Sequence, residues 1–203
     1  MEHDYLKHYK LCQNDTVLDL GSTEGDFLKE NIKEIKEKKI HVICVEPEPK
    51  NISVLAKYIY ENALENATII SGMAARSVGK DYLSIADFYL LHHNTRIEKQ
   101  KWEYNLVGNY LSPTYDLNYF CRTFGTINFL KCDIEGAEID VFCYQLMCVH
   151  EHIKNIAIAC YHVIDGKRTH ETLIPFLKLV GYNIITDLHP EADNKDMIYG
   201  WRK

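Results

Sequence analysis

The sequence lacks the marks of several large protein classes. It has no C-x-x-C pair; its seven cysteines (Cys12, Cys44, Cys121, Cys132, Cys143, Cys148 and Cys160) are scattered over 203 residues. Most lie in apolar runs, where a free thiol behaves as a small hydrophobe, and an odd, scattered set favours a reducing compartment. No apolar run approaches the roughly 18 residues of a membrane span. The opening Met1-Glu2-His3-Asp4-Tyr5 is too polar for a signal peptide, so a cytoplasmic location is expected. An excess of positive charge is also missing: 23 Lys and Arg stand against 29 Asp and Glu, a formal charge of −6. Phosphate-binding surfaces carry Lys/Arg-dense faces, so no nucleic-acid partner is expected. The basic run Lys33 to Lys39 is interleaved with Glu34 and Glu37 and reads as a solvated helix face. There is no internal repeat, linker or low-complexity tract, and the length suits one domain.

What is present is a regular alternation. Residues 1–15 are a polar, aromatic lead-in, expected as a short helix or cap. Thr16–Leu20 is apolar on both faces, as in a buried parallel strand, and the turn from Gly21 to Gly25 leads into an amphipathic helix carrying Leu28, Ile32 and Ile35. His41–Val45 is a second strand ending in Glu46, after which Pro47 and Pro49 introduce a helix striped by Ile52, Leu55 and Ile59. Ala67–Ile70 is a third strand, closed by Ser71-Gly72. This βαβαβ order implies a parallel sheet with right-handed crossovers. Residues 72–126, rich in Tyr, Phe, His and including Trp102, lose periodicity. They are expected to form a variable, substrate-facing insert of short strands, with a short helix near Asp116–Cys121. Regularity returns with a strand at Ile127–Cys132, a helix to about Val149, and a strand at Asn155–Ala159 that runs into Cys160-Tyr161-His162. Leu173, Phe176, Leu177 and Val180 stripe a helix whose start Pro175 is expected to delay and which Gly181 stops. Tyr182–Thr186 and Met197–Trp201 read as a closing antiparallel hairpin.

In an open parallel sheet, ligands bind outside the carboxyl ends of the strands. Polar residues gather there: Asp19 and Gly21, Glu46, Ser71, Asp133 and Glu135, and His162. The first turn is G-x-x-x-G, with Ser22, Thr23 and Glu24 where a middle glycine would let backbone approach a pyrophosphate. That disfavours a dinucleotide, and with it an NAD-linked oxidoreductase, and suits a ligand with an amino-acid-like end. Glu46, about 20 residues beyond Gly25, is placed to accept both ribose hydroxyls. S-adenosylmethionine carries both features. Taken singly, Gly21 and Gly25 can be turn glycines, Asp19 a cap and Glu46 a surface residue before two prolines; their joint occurrence points to an adenosyl ligand. His92-His93 and His150-x-His152 lack metal-ligand spacing, and no metal site is assigned.

Val17-Leu18-Asp19-Leu20-Gly21-x-x-x-Gly25 resembles motif I of class I S-adenosylmethionine-dependent methyltransferases. Val45-Glu46-Pro47-x-Pro49-x-Asn51-x-x-x-Leu55, followed roughly 80 residues on by Leu130-Lys131-Cys132-Asp133-Ile134-Glu135-Gly136-Ala137-Glu138, resembles the FkbM-type family. The resemblance runs over residues 14–186 and is weak over 72–113. It implies a Rossmann-like, doubly wound α/β sheet of about seven mostly parallel strands, the last antiparallel, with helices on both faces, residues 1–203 making one domain. It also implies methylation of an oxygen, often a hydroxyl of a sugar, glycan or other small-molecule acceptor. On this chain Asp19, Gly21, Ser22, Gly25 and Phe27 would hold the methionine portion, Glu46 and Pro47 the ribose, and Ser71, Gly72, Met73 and Ala74 the adenine. Asp133 would lie beside the reactive methyl. Glu135 and Glu138 open the next helix, where carboxylates are favourable in their own right, and Glu135 is also a candidate for the catalytic site. In-line displacement depends on alignment, and a hydroxyl acceptor needs its proton removed. His162 titrates near neutrality and is the first candidate base, with Asp133 the second. Many family members carry an acidic residue two positions before this histidine, whereas this chain has Cys160. That departure leaves open a non-catalytic adenosyl-binding or scaffolding protein.

Overall fold

Apolar strands alternating with amphipathic helices give a sheet covered on both sides. The computed structural model describes residues 4–86, 95–97, 106–189 and 195–202. In chain order the strands are β1 (Thr16–Leu20), β2 (His41–Glu46), β3 (Ala67–Ser71), β4 (Met73–Ala74), β5 (Gly79–Ala86), β6 (Thr95–Ile97), β7 (Leu106–Tyr115), β8 (Ile127–Cys132), β9 (Ile153–Ala159), β10 (Val163–Ile164), β11 (Lys167–Arg168), β12 (Asn183–Asp187) and β13 (Met197–Trp201). The helices are α1 (Asp26–Glu30), α2 (Ile32–Glu37), α3 (Pro49–Glu61), α4 (Leu117–Phe124), α5 (Glu138–Phe142), α6 (Leu146–His152) and α7 (Thr169–Leu179).

Seven strands form the main sheet in the order β12-β13-β9-β8-β1-β2-β3. β13 runs antiparallel to both β12 and β9, and the remaining pairs are parallel. The expected α/β class and the closing hairpin are therefore present. The order reverses between β1 and β8, whose register sets Val17 against Phe129 and Asp19 against Lys131. Such a switch point splays the flanking crossovers apart and opens a crevice at the carboxyl edge.

Each sheet face has its own core. Leu18, Leu20, Ile43, Leu130 and Ile158 pack under α4 to α7 with Phe120, Phe142, Leu173 and Leu177. Val17, Val42, Cys44 and Phe129 pack on the other face with Phe27, Leu28, Ile35 and Leu55. Tyr5 and Leu11 from the lead-in join this second core. The lead-in is a cap and not a helix: residues 5–8 form turns, and Tyr9 stacks on Phe129 with ring centroids 4.9 Å apart.

Helix boundaries depart from the sequence expectations in three places. The first helix breaks at Asn31, whose side-chain amide donates to the Phe27 carbonyl at 2.8 Å and closes α1 before α2 begins. The helix after β8 divides into α5 and α6. Pro175 does not delay α7, which starts at Thr169 and carries the proline inside it. Pro175 and Glu171, four residues back, are both exposed, so the hydrogen bond that proline cannot donate is lost on the face open to water. Gly181 ends α7 as expected, at φ +88°, with its N–H and that of Tyr182 bonded to the Lys178 and Leu177 carbonyls in a Schellman arrangement.

Within residues 72–126, four strands form a second sheet in the order β4-β7-β5-β6. β5 and β7, of 8 and 10 residues, are longer than the short strands expected. α4 lies where the short helix was placed, and Asp116 caps it by accepting the Tyr119 N–H at 2.7 Å. Trp102 and the His92-His93 pair lie outside the described residues.

Phe129 is 1% exposed, between Tyr9 and Phe27. Phe129→Ala is expected to cost about 3–5 kcal/mol of stability, read as a lower urea midpoint with an unchanged slope.

Candidate active site

The turn after β1 is held from several sides. The Gly21 and Ser22 N–H groups both donate to the Val45 carbonyl, at 3.0 and 3.1 Å, and the Ser22 hydroxyl donates to the Asp19 carbonyl at 2.8 Å. Gly21 has φ +75°, and a Cβ there would sit 1.9 Å from the Asp133 carbonyl oxygen. Only glycine lets the ends of β1 and β8 close so tightly. At Gly25, φ +91°, a Cβ would meet Leu55 at 2.7 Å, so α3 packs directly against the turn. Thr23 between them is also left-handed, at φ +49°.

Glu46 is 3% exposed at the end of β2. Its Oε2 accepts the Thr23 N–H at 2.8 Å, and its Oε1 accepts the Glu48 N–H at 2.9 Å and the Asn51 side-chain amide at 3.2 Å. A carboxylate offers about four acceptor positions; three are engaged, which leaves one open. Burial raises its pKa above the ordinary carboxylate range, against the pull of those donors.

Below the turn, Asp19 is fully buried, and its Oδ1 lies 3.0 Å from Lys131 Nζ. Lys131 also donates to the Gly21 carbonyl at 2.6 Å and the Leu20 carbonyl at 3.3 Å. Asp19 therefore supports the turn from beneath. Phe27 and Ala74 are core residues. Gly72 packs against β7, where a Cβ would meet Tyr115 at 2.5 Å, and the Gly72 N–H donates to the Glu46 carbonyl at 3.1 Å. Ser71 is exposed and Pro47 half-buried.

Asp133 follows β8, and its N–H donates to the Leu20 carbonyl at 3.1 Å. Its carboxylate accepts the Tyr5 hydroxyl at 2.8 Å and the Tyr161 hydroxyl at 3.4 Å. Burial, with Asp133 alongside, pushes both phenols above their ordinary values, so they are donors. The next turn carries Glu135 at φ +57° and Gly136 at φ +100°. Glu138 Oε1 accepts the Ile134 and Gly136 N–H groups, each at 3.2 Å, as a carboxylate at a helix start should.

His162 is 5% exposed. Its Nδ1 lies 3.1 Å from Glu138 Oε1 and its Nε2 3.5 Å from Glu135 Oε2. Burial works to lower its pKa, but the two carboxylates outweigh burial and raise it to about 10. The pair of carboxylates thus favours the protonated ring, which weighs against His162 as a proton acceptor. Cys160 is fully buried, and burial raises its thiol pKa, so it supplies no charge here. His150 and His152 lie in the last turn of α6, with His150 Nδ1 3.1 Å from the Val180 carbonyl.

The fold thus gathers Gly21, Ser22, Gly25, Glu46, Asp133, Glu135 and His162 along one carboxyl edge. Sequence reading missed Tyr5, Tyr161 and Lys131. Lys131 left a signal, a cation in an apolar central strand opposite an anion in the neighbouring one. Tyr5 left none.

A family model described as the methyltransferase FkbM domain matches residues 19–184. No curated protein matches the chain. Among solved structures, the chain resembles a methyltransferase FkbM from Methylobacillus flagellatus KT, with TM-score 0.66 and 18% identity over 96% of this chain and 45% of that one. This chain therefore spans less than half the length of that enzyme. It also resembles a precorrin-6y C5,15-methyltransferase from Geobacter metallireducens GS-15, with TM-score 0.58 and 10% identity over 98% of this chain and 85% of the other. An Aeropyrum pernix fibrillarin with natively bound S-adenosyl-L-methionine gives TM-score 0.55 and 15% identity over 95% and 69%.

Tyr5 contributes both a ring to the core and a hydroxyl to Asp133. Tyr5→Phe is expected to lose roughly 1 kcal/mol in urea unfolding, the worth of one hydrogen bond. Tyr5→Ala is expected to lose about 3–5 kcal/mol.

Proposed function

The chain belongs to the FkbM methyltransferase family of S-adenosylmethionine-dependent methyltransferase folds, and from that premise we propose that it methylates an oxygen, a hydroxyl of a sugar, glycan or other small acceptor. S-adenosylmethionine supplies an electrophilic methyl on a sulfonium. The observation that carries the reading is Glu46: a buried carboxylate with one acceptor position left, bonded to the backbone of the glycine turn. It would take one ribose hydroxyl. Gly21, Ser22 and Gly25 would hold the methionine portion, with Asp19 bracing them through Lys131, and Ser71 to Met73 would border the adenine.

A hydroxyl acceptor must lose a proton as its oxygen attacks. Because Glu135 and Glu138 favour a protonated His162, Asp133 is the preferred proton acceptor, beside Gly21 and oriented by Tyr5 and Tyr161. Positioning supplies much of the rate in such a displacement, and residues 72–126 would shape the acceptor side within a single domain. The net charge of −6 supports a small acceptor over a nucleic acid. Seven free cysteines, five of them buried in the sheet and its helices, support a reducing, cytoplasmic setting.

Labelled-donor assays against hydroxyl, amine and carboxylate acceptors test the reaction type, since a methyl ether survives the alkali that cleaves a methyl ester. Donor binding tests the site. Because its pKa is raised, Glu46 gains a proton at higher pH than an ordinary carboxylate, so affinity for S-adenosylhomocysteine is expected to fall as pH drops from 7 towards 5. Glu46→Gln is expected to weaken binding about 10- to 100-fold at pH 7, the worth of a charge-assisted hydrogen bond, and to abolish that pH dependence. Unchanged affinity in calorimetry would remove Glu46 from the site.

A further inference from the structure

We propose that Asp133, Glu135 and His162 form a binding site for a divalent cation at the carboxyl edge of the sheet. One donor atom from each lies within 4.8 Å of the other two. Metal bonds of about 2.1 Å hold neighbouring ligand atoms about 3 Å apart, and the Glu135 Oε2 to His162 Nε2 distance is already 3.5 Å. The three side chains come from two separate chain segments brought together by β8 and β9.

A second observation, independent of the carboxylates, points to a ligand. The His162 side chain is 4% exposed, and neither ring nitrogen makes a geometrically sound hydrogen bond among the described residues. Leaving a buried polar group so placed is costly unless something else satisfies it. The surroundings match those of a metal-bound imidazole, which keeps a carboxylate at its other ring nitrogen. Glu138 Oε1 stands at Nδ1, at 3.1 Å, and is itself fixed by two backbone N–H groups. Asp133 is oriented in the same manner by the Tyr5 and Tyr161 hydroxyls. Glu135 is presented to the site by a left-handed backbone, φ +57°, that non-glycine residues rarely adopt. Two carboxylates and one neutral imidazole suit a divalent ion such as Mn²⁺: the ion takes the place of the proton at His162 Nε2, which is released to solvent, while Nδ1–H stays directed at Glu138, and further positions are open to water or an acceptor oxygen. The inference deepens the methyl-transfer reading and rests on it for the purpose of the ion, though not for its binding.

Titration of the metal-stripped protein with Mn²⁺, followed by loss of the free-ion EPR signal, is expected to show one saturable site per chain. Asp133→Asn, Glu135→Gln and His162→Gln are each expected to weaken it at least tenfold. Pulsed EPR on native protein labelled with ¹⁵N-histidine needs no variant and is expected to show a nitrogen coupled to the bound Mn²⁺. Absence of saturable binding at millimolar Mn²⁺, or binding without nitrogen coupling and indifferent to all three substitutions, overturns the site. S-adenosylhomocysteine calorimetry on the same sample separates the two readings. Mn²⁺ binding without donor binding keeps the cation site and sinks methyl transfer, whereas donor binding without Mn²⁺ binding sinks the cation site alone.

Discussion

The buried contact between Lys131 and the end of β1 is the constraint on which the site depends. A lysine at the centre of an apolar sheet is expensive to desolvate, and burying an ion pair is by itself weak evidence of stability. Here the ammonium meets Asp19 and the carbonyls of Leu20 and Gly21. By binding them, Lys131 fixes the path of the backbone as it enters the glycine turn and locks β1 to β8 where Gly21 and Asp133 meet. The Asp133 N–H to the Leu20 carbonyl ties the same two strand ends again. The glycine turn and Asp133 are thus one rigid unit, as alignment of reacting groups at this edge would require.

Much of this was legible because it is local. Short apolar runs closed by Gly or an acid mark strands, and the order of strands and helices then leaves few topologies. Glu46, Asp133 and His162 could be placed on one edge from strand ends alone. Pro175 misled because the rule against proline in helices is strictest where the face is buried, and both Pro175 and Glu171 lie on an exposed face. Tyr5 could not be read, because its partner Asp133 is 128 residues away and no periodicity reports such a contact. The surroundings of His162 were equally hidden. A histidine after a strand suggests a base until Glu135 and Glu138 are seen on either side of it, and the left-handed turn that aims Glu135 is invisible in a run of ordinary letters.

Charge accounting along the edge shows where the structure is incomplete on its own. Asp19 is matched by Lys131, and Glu135 and Glu138 flank His162. Among the described residues no cation pairs directly with Glu46 or Asp133; amides hold the first and hydroxyls the second. Burial raises the Glu46 pKa, and its neutral donors offset only part of that rise. The two anions that the protein leaves without a cation flank the glycine turn, and one of them belongs to the three-donor group around His162. A carboxylate left in this condition is stabilised by a cationic partner that arrives from outside, and a sulfonium donor and a divalent ion are both of that kind. Replacing either carboxylate by its amide removes the attraction while keeping the shape, so electrostatics and packing at this edge are separable.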